Sequence, residues 1–563
     1  MSEASRDATL IVILRGWGKA GLLPDSFRQM VANGAENVVL HVADLDMDYL
    51  SLADPWRLVD SAFRQIDDWV RDIDPARIIL IGYSAGSLIA RGVVLRAHGS
   101  LLRGDADAFP DPCAWAGRIE RVVYLAGVLR GWTISSATPK LQRFLYPVAS
   151  GLVRLYGAIR GATPFILQCE RGEAFVVDLR LRYLALQRSE ARLPLFVFLL
   201  GTQDEFISPA DALDVQVGPG MAFIEIPGSN HGDIGEVMRD GETASVRRDR
   251  LSRAIFEPPQ MLADFAVHHE DIDDYLEPMD RRMTNPYDPE VTDAVIVLHG
   301  IRDEGYWTKR IARAIKEEGN RMVVRAPSPS YGYFSMWNFL SRSARIRKTK
   351  WLLEQYCDVL ICFPNARISF VGHSNGTYLA VKALELCQSV RFHRLYFAGS
   401  VVRRDFPWRN YAGRVDRLVN VTASDDVVVA LFPGFMEALG LRRLEVGGAG
   451  YRGFDRGGLP DFVTSVGPLR GGHGAGVSEA MWPGIARYIA DGTLPTVPEG
   501  LRGRDPTDPP LRLKVLAGRL VLMLAPLMLG FGVWAVAMQF GLSVGVVLGA
   551  ALVWLIWRVV RFY

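Results

Sequence analysis

Short, largely apolar runs alternate with amphipathic stretches along most of the chain. Residues 78–81, 195–200, 294–298 and 368–371 are runs of the first kind, whereas 56–73 and 351–364 place apolar residues at helical steps. That alternation predicts strand–helix units on a parallel sheet. The pattern occurs twice. Ala76-Arg-Ile-Ile-Leu-Ile-Gly-Tyr-Ser-Ala-Gly86 matches Ala366-Arg-Ile-Ser-Phe-Val-Gly-His-Ser-Asn-Gly376, and Arg121-Val-Val-Tyr-Leu-Ala-Gly127 matches Arg394-Leu-Tyr-Phe-Ala-Gly399. The repeat therefore spans whole domains rather than short solenoid units.

At 563 residues the chain exceeds what one core accommodates. The expected layout is a first α/β domain over 1–256, a polar, acidic linker over 257–292, and a second α/β domain over 293–491. A spacer over 492–515 follows, carrying Pro495, Pro498, Pro506, Pro509 and Pro510. The His-His-Glu-Asp run at 268–271 lacks helical spacing and reads as solvated linker, not as a metal cluster. Apolar residues make up 49% and charged residues 22%, and the net charge is only +2. That balance argues against a nucleic-acid partner. Five cysteines without a CxxC pair indicate thiols rather than a disulfide framework.

Two segments carry candidate chemistry. Gly82-Tyr83-Ser84-Ala85-Gly86 follows an apolar run and precedes a helix-compatible one, the context in which a G-x-S-x-G turn lifts a serine hydroxyl above a sheet. Serine is a weak nucleophile near neutral pH and needs a base, which in turn needs an orienting carboxylate. Asp204 follows the run 195–200, and His231 follows 222–226. Gly372-His373-Ser374-Asn375-Gly376 repeats the turn, with an acid at Asp425 or Asp426 and a base at His473. Asp425 is the expected acid, taking the same place after its strand as Asp204, and His373 is expected to pack rather than act as base.

These residues give the chain a resemblance, twice over, to the α/β-hydrolase superfamily and its lipase and esterase branch. The resemblance implies Ser–His–Asp triads at Ser84, His231, Asp204 and at Ser374, His473, Asp425. It also implies oxyanion holes from backbone N–H groups of Trp17 and Ala85 in the first domain. In the second, His299-Gly300 is similar to the His-Gly of lipase oxyanion loops, which points to Ile301 and Asn375. Arg15 stands where that histidine would in the first domain, as a contact for an acidic substrate group or as a salt-bridged scaffold residue. No cofactor or metal is implied.

Spacing separates the two domains: Asp204 stands 77 positions after Gly127, but Asp425 only 26 after Gly399. The surplus places a cap insertion at about 128–192. Within it Leu141, Phe144, Leu145, Val148, Leu152, Leu155 and Ile159 recur at steps of three and four, an apolar helix face suited to a lid or acyl tunnel, or to ordinary packing on the sheet.

Finally, residues 520–538 carry no charge and 542–557 are again apolar. At helical rise they span roughly 28 Å and 24 Å, close to a bilayer core of about 30 Å. Basic residues flank both ends, so a two-span transmembrane hairpin over 516–558 is expected, with both domains on the cytoplasmic side. The composite expectation is a membrane-anchored serine hydrolase of lipid or other apolar esters. Its alternatives are one catalytic domain beside a scaffold domain, a non-catalytic membrane assembly or signalling protein, or thioesterase or peptidase activity from the same machinery.

Overall fold

The computed structural model describes residues 7–100, 109, 111–133, 140–189, 191–212, 214, 220–238, 241–264, 266–267, 287–300, 306–319, 322–325, 336–455, 457–506, 508–540, 547, 549–551 and 554. The chain divides into two compact units. The first comprises Met1–Tyr287, Leu353–Pro364 and Cys387–Ser389, and the second Asp288–Leu352, Asn365–Leu386 and Val390–Tyr563.

Strands of the first unit are β1 (Thr9–Leu14), β2 (Val38–Val42), β3 (Arg77–Tyr83), β4 (Ile119–Leu125), β5 (Leu195–Gly201) and β6 (Met221–Ile226). They form one sheet in the order β2-β1-β3-β4-β5-β6, and every pairing is parallel. Strand alternation sends Leu10, Val12, Ile78 and Leu80 to one core, with Leu58, Ala62 and Ile66 of helix Pro55–Ile73. Ile11, Ile13, Ile79 and Ile81 go to the opposite core, with Phe27 and Val31 of helix Asp25–Ala32 and Leu251 of helix Glu242–Phe256. A parallel sheet covered on both faces explains why its strands read as continuous apolar runs.

The second unit repeats the plan with β7 (Asp293–Leu298), β8 (Met322–Arg325), β9 (Arg367–His373), β10 (Phe392–Ala398), β11 (Val415–Ala423) and β12 (Val463–Leu469). Its order is β12-β11-β10-β9-β7-β8, again parallel throughout. This is the first unit's order with each strand advanced by six. In both sheets the chain reverses direction across the sheet between the first and third strands, which is where α/β sheets open a crevice beyond their strand ends.

The C-terminal expectation needs correction. Pro509–Phe540 is one 32-residue helix, and among the described residues no helix is long and apolar enough to cross a membrane. Its first turns carry Arg512 and Lys514 and dock on the second unit. Val515 is buried, and Arg519 donates to the carbonyl oxygen of Ala430. Beyond Arg519, large apolar side chains such as Val521, Met528, Phe531, Trp534 and Met538 are exposed. The second expected span, 542–557, lies largely outside the described residues.

Candidate functional site

In each unit a serine stands just past the third strand in a left-handed backbone conformation, φ 52° at Ser84 and 55° at Ser374. Such a conformation is uncommon for a side chain with a Cβ and marks a constrained turn. Glycine is required around it. A Cβ on Gly82 would stand 2.6 Å from the Cα of Ser87, and one on Gly86 2.2 Å from the carbonyl oxygen of Leu14. Both turns are braced alike. The backbone N–H of Ser84 donates to the carbonyl of Leu125 and that of Ser374 to Ala398, at 2.9 and 3.0 Å. Three residues on, the Ser87 and Thr377 hydroxyls donate to the serine carbonyls at 2.6 and 2.7 Å.

The first unit joins three side chains in one line. His231 Nε2 lies 3.2 Å from Ser84 Oγ, and its Nδ1 lies 2.9 Å from Asp204 Oδ2. With Nδ1–H donating to the carboxylate, Nε2 is left as acceptor for the serine proton. Asp204 is itself fixed, since its other oxygen accepts from the backbone N–H of Phe206 and Ile207 at 3.0 and 2.8 Å. Tyr83 holds the histidine from behind: its hydroxyl donates to the His231 carbonyl at 2.8 Å, and the two rings stack. Burial, with added push from the Asp204 and Glu205 charges, raises the Tyr83 pKa, so the phenol remains a donor.

In the second unit the carboxylate beside the imidazole is not the one expected. His473 Nδ1 lies 3.0 and 3.1 Å from the two carboxylate oxygens of Asp426. Asp425 instead accepts from the Ser424 hydroxyl. The reason is where the strand stops. β11 ends at Ala423 and β5 at Gly201, so Asp426 and Asp204 each stand third past their strand. Asp426 also accepts from the backbone N–H of Val429, three residues on, as Asp204 does from Ile207. It thereby caps the short helix Val427–Leu431. The His473 Nε2 is buried and makes no hydrogen bond among the described residues. Ser374 is 3% exposed and sits against the loop after β7, where a Cβ on Gly300 would fall 3.0 Å from its Oγ. His373 is a packing and anchoring residue. Its Nε2 donates to the His473 carbonyl at 3.0 Å, the place Tyr83 takes in the first unit, and its ring lies 4.7 Å from that of His473.

The remaining sequence candidates divide. Ala85 and Asn375 stand at the starts of the helices Gly86–Ala97 and Asn375–Leu386, directly after the serines. Trp17 follows Gly16, on which a Cβ would sit 3.1 Å from Ser84 Cβ, so that loop also abuts the serine. Ile301 lies outside the described residues. Arg15 is a scaffold residue, donating to Asp48 at 3.0 Å and to the Gly18 carbonyl at 2.8 Å. In the cap region, helix Lys140–Arg160 presents Val148, Leu152, Leu155 and Ile159 to solvent, each more than half exposed. These four therefore line neither a tunnel nor the sheet, while the side chains of Leu141, Phe144 and Leu145 lie outside the described residues. Sequence reasoning weighed Asp426 but preferred Asp425, and it missed Tyr83 and the bracing hydroxyls of Ser87 and Thr377. Alignment of the two elbows carried a signal for the last pair, since a hydroxyl residue stands third after each serine.

No protein-family model and no curated protein matches the chain. Among solved structures, it is similar to a lipase-esterase related protein from Clostridium acetobutylicum, at 12% identity over 45% of this chain and 96% of that one, with a TM-score of 0.27. It is also similar to the Francisella virulence factor BioJ, at 15% identity over 45% and 78%, TM-score 0.29. A monoacylglycerol lipase from Paleococcus ferrophilus aligns at 16% identity over 44% and 96%, TM-score 0.26. At these TM-scores the likeness carries no argument, and the function must be sought in the geometry of the two serine centres.

Proposed function

We propose that the chain is a serine hydrolase of carboxylic esters with two centres, Ser84–His231–Asp204 and Ser374–His473–Asp426. The observation that carries the reading is the single imidazole of His231 bridging a strained-elbow serine and a buried carboxylate. In this reading Ser84 Oγ attacks the ester carbonyl while His231 Nε2 takes its proton, and Asp204 holds the tautomer and the resulting imidazolium. The backbone N–H groups of Ala85 and Trp17 face the oxyanion of the tetrahedral intermediate. The imidazolium then protonates the departing alkoxide, leaving an acyl-serine, and water activated by the same imidazole releases the acid. Ser374, His473 and Asp426 follow the same steps, with Asn375 as a donor.

Lipid acyl esters are the proposed substrates, and the protein is proposed to attach to lipid through the exposed apolar side chains beyond Arg519. Those side chains and the stripe on helix Lys140–Arg160 form apolar surface that a protein surrounded only by water rarely leaves open. The test is labelling of the full chain by a fluorophosphonate probe. Wild type is expected to label, the Ser84→Ala and Ser374→Ala single variants to label less, and the double variant not at all. Undiminished labelling of the double variant, or none of the wild type, overturns the reading. Sedimentation with lipid vesicles tests attachment, which is overturned if the chain stays in the supernatant.

A further inference from the structure

We propose that a pocket in the second unit, walled by Tyr451, Arg452 and Arg519, binds the phosphate group of a phosphate ester. The pocket has a volume of about 230 Å³, and four arginines face three carboxylates around it. The carboxylates are already engaged. Glu437 accepts from the backbone N–H of Arg404 and Gly448 at 2.8 and 2.9 Å. Asp455 pairs with Arg404, and Asp405 takes two bonds from Arg403 at 2.8 Å. Arg452 and Arg519 have no carboxylate partner among the described residues.

Arg519 spends two N–H groups on the Ala430 carbonyl, at 3.3 and 3.0 Å, and lies over the Phe435 ring. Burial and the neighbouring Arg452 charge lower its pKa, the mark of a cation short of negative charge. A third group is also unspent: the Tyr451 hydroxyl is buried, with no hydrogen-bond partner among the described residues. A buried hydroxyl left unpaired costs free energy that a ligand oxygen would recover. Two guanidinium groups and a hydroxyl donor match the oxygens of a phosphate, which accepts several charge-assisted bonds at once.

Position adds the rest of the ligand. Arg519 stands where helix Pro509–Phe540 turns from docked to exposed. Gly518 rests on Leu431, while Leu520 and Val521 are exposed. A phosphate held there has apolar side chains leading away from it, so the ester is either a soluble phosphate ester or the head of a phospholipid. Neither serine takes part in this site.

The experiment uses the full chain and two probes. Glycerol 3-phosphate is titrated calorimetrically against detergent-dispersed protein, and vesicles of a phosphate-free galactolipid, with or without phosphatidic acid, are floated with it. Binding of glycerol 3-phosphate identifies a soluble ester; capture that requires phosphatidic acid identifies a lipid head. In either case Arg452→Gln is expected to weaken binding about tenfold or more, and Tyr451→Phe several-fold without a fall in Tm. Binding of neither probe, or equal binding by wild type and both variants, overturns the proposal.

Discussion

The two serine centres share their scaffold and differ at one contact. Sheet order, elbow conformation, hydroxyl brace, carboxylate geometry and the group holding the histidine carbonyl recur in both. Only in the first does the imidazole reach the serine, at 3.2 Å. In the second its Nε2 is buried with no partner among the described residues, and the serine sits against Gly300. The strand ends and the elbow thus go with the five parts that recur, and the sixth is the contact that does not. The last contact is not fixed by them: the Gly300 loop packs against Ser374, where a Cβ on Gly300 would fall 2.5 Å from the serine Cβ. Substrate binding is an ordinary occasion for such a contact to close.

The largest effect that could break this comparison concerns rate. Ser84 is expected to react with a fluorophosphonate at least roughly tenfold faster than Ser374, because its base is already in place. Time courses on Ser374→Ala and Ser84→Ala measure the two centres separately. In Ser374→Ala, adding Ser84→Ala is expected to lower ester hydrolysis by roughly a thousandfold or more. Equal labelling rates at the two serines would erase the distinction between an assembled and an unassembled centre.

A somewhat smaller effect sharpens the second centre. In a Ser84→Ala background, Asp426→Asn is expected to lower hydrolysis by about a hundredfold or more, since an amide no longer holds the productive tautomer. Asp425→Asn, whose carboxylate meets Ser424, is expected to change it less than about threefold. The reverse order would return the acid's role to Asp425.

That pair also shows how far the sequence was legible. Apolar runs located the strands, and the two G-x-S-x-G turns located both serines, because each signal extends over several residues. The choice between adjacent aspartates hung on a strand terminus. Val415–Ala423 ends one residue later than a strand that would set Asp425, like Asp204, third past its end, and that residue decides which carboxylate meets the imidazole. The stripe at Val148, Leu152, Leu155 and Ile159 was legible as a helix face, but periodicity says nothing about what that face meets. Tyr83 was hidden for another reason. Its partner is a backbone carbonyl 148 positions away, and any residue supplies one.

Tyr83 gives the smallest and most specific test, comparing its hydroxyl with the ring nitrogen of His373. Tyr83→Phe keeps the ring stacked on His231 and removes one hydrogen bond, so a loss of about 1 kcal/mol in stability near neutral pH is expected. A several-fold fall in the rate at Ser84 should accompany it, with Ser374 unaffected. The alkaline limb tests the burial of the hydroxyl. The folded pKa of Tyr83 lies above its ordinary value, so above about pH 10 an unfolded chain releases a proton that the folded chain retains. The stability of wild type should therefore fall as pH rises past that point, by at most about 1.4 kcal/mol per pH unit from this one group. Tyr83→Phe lacks the group and should lose stability less steeply there, so the gap between the two proteins narrows as pH rises. Chemical denaturation at several pH values reads the gap. One that stays constant above pH 10 would mean that Tyr83 ionises as easily folded as unfolded, and so that its hydroxyl is neither buried nor set against the Asp204 and Glu205 charges.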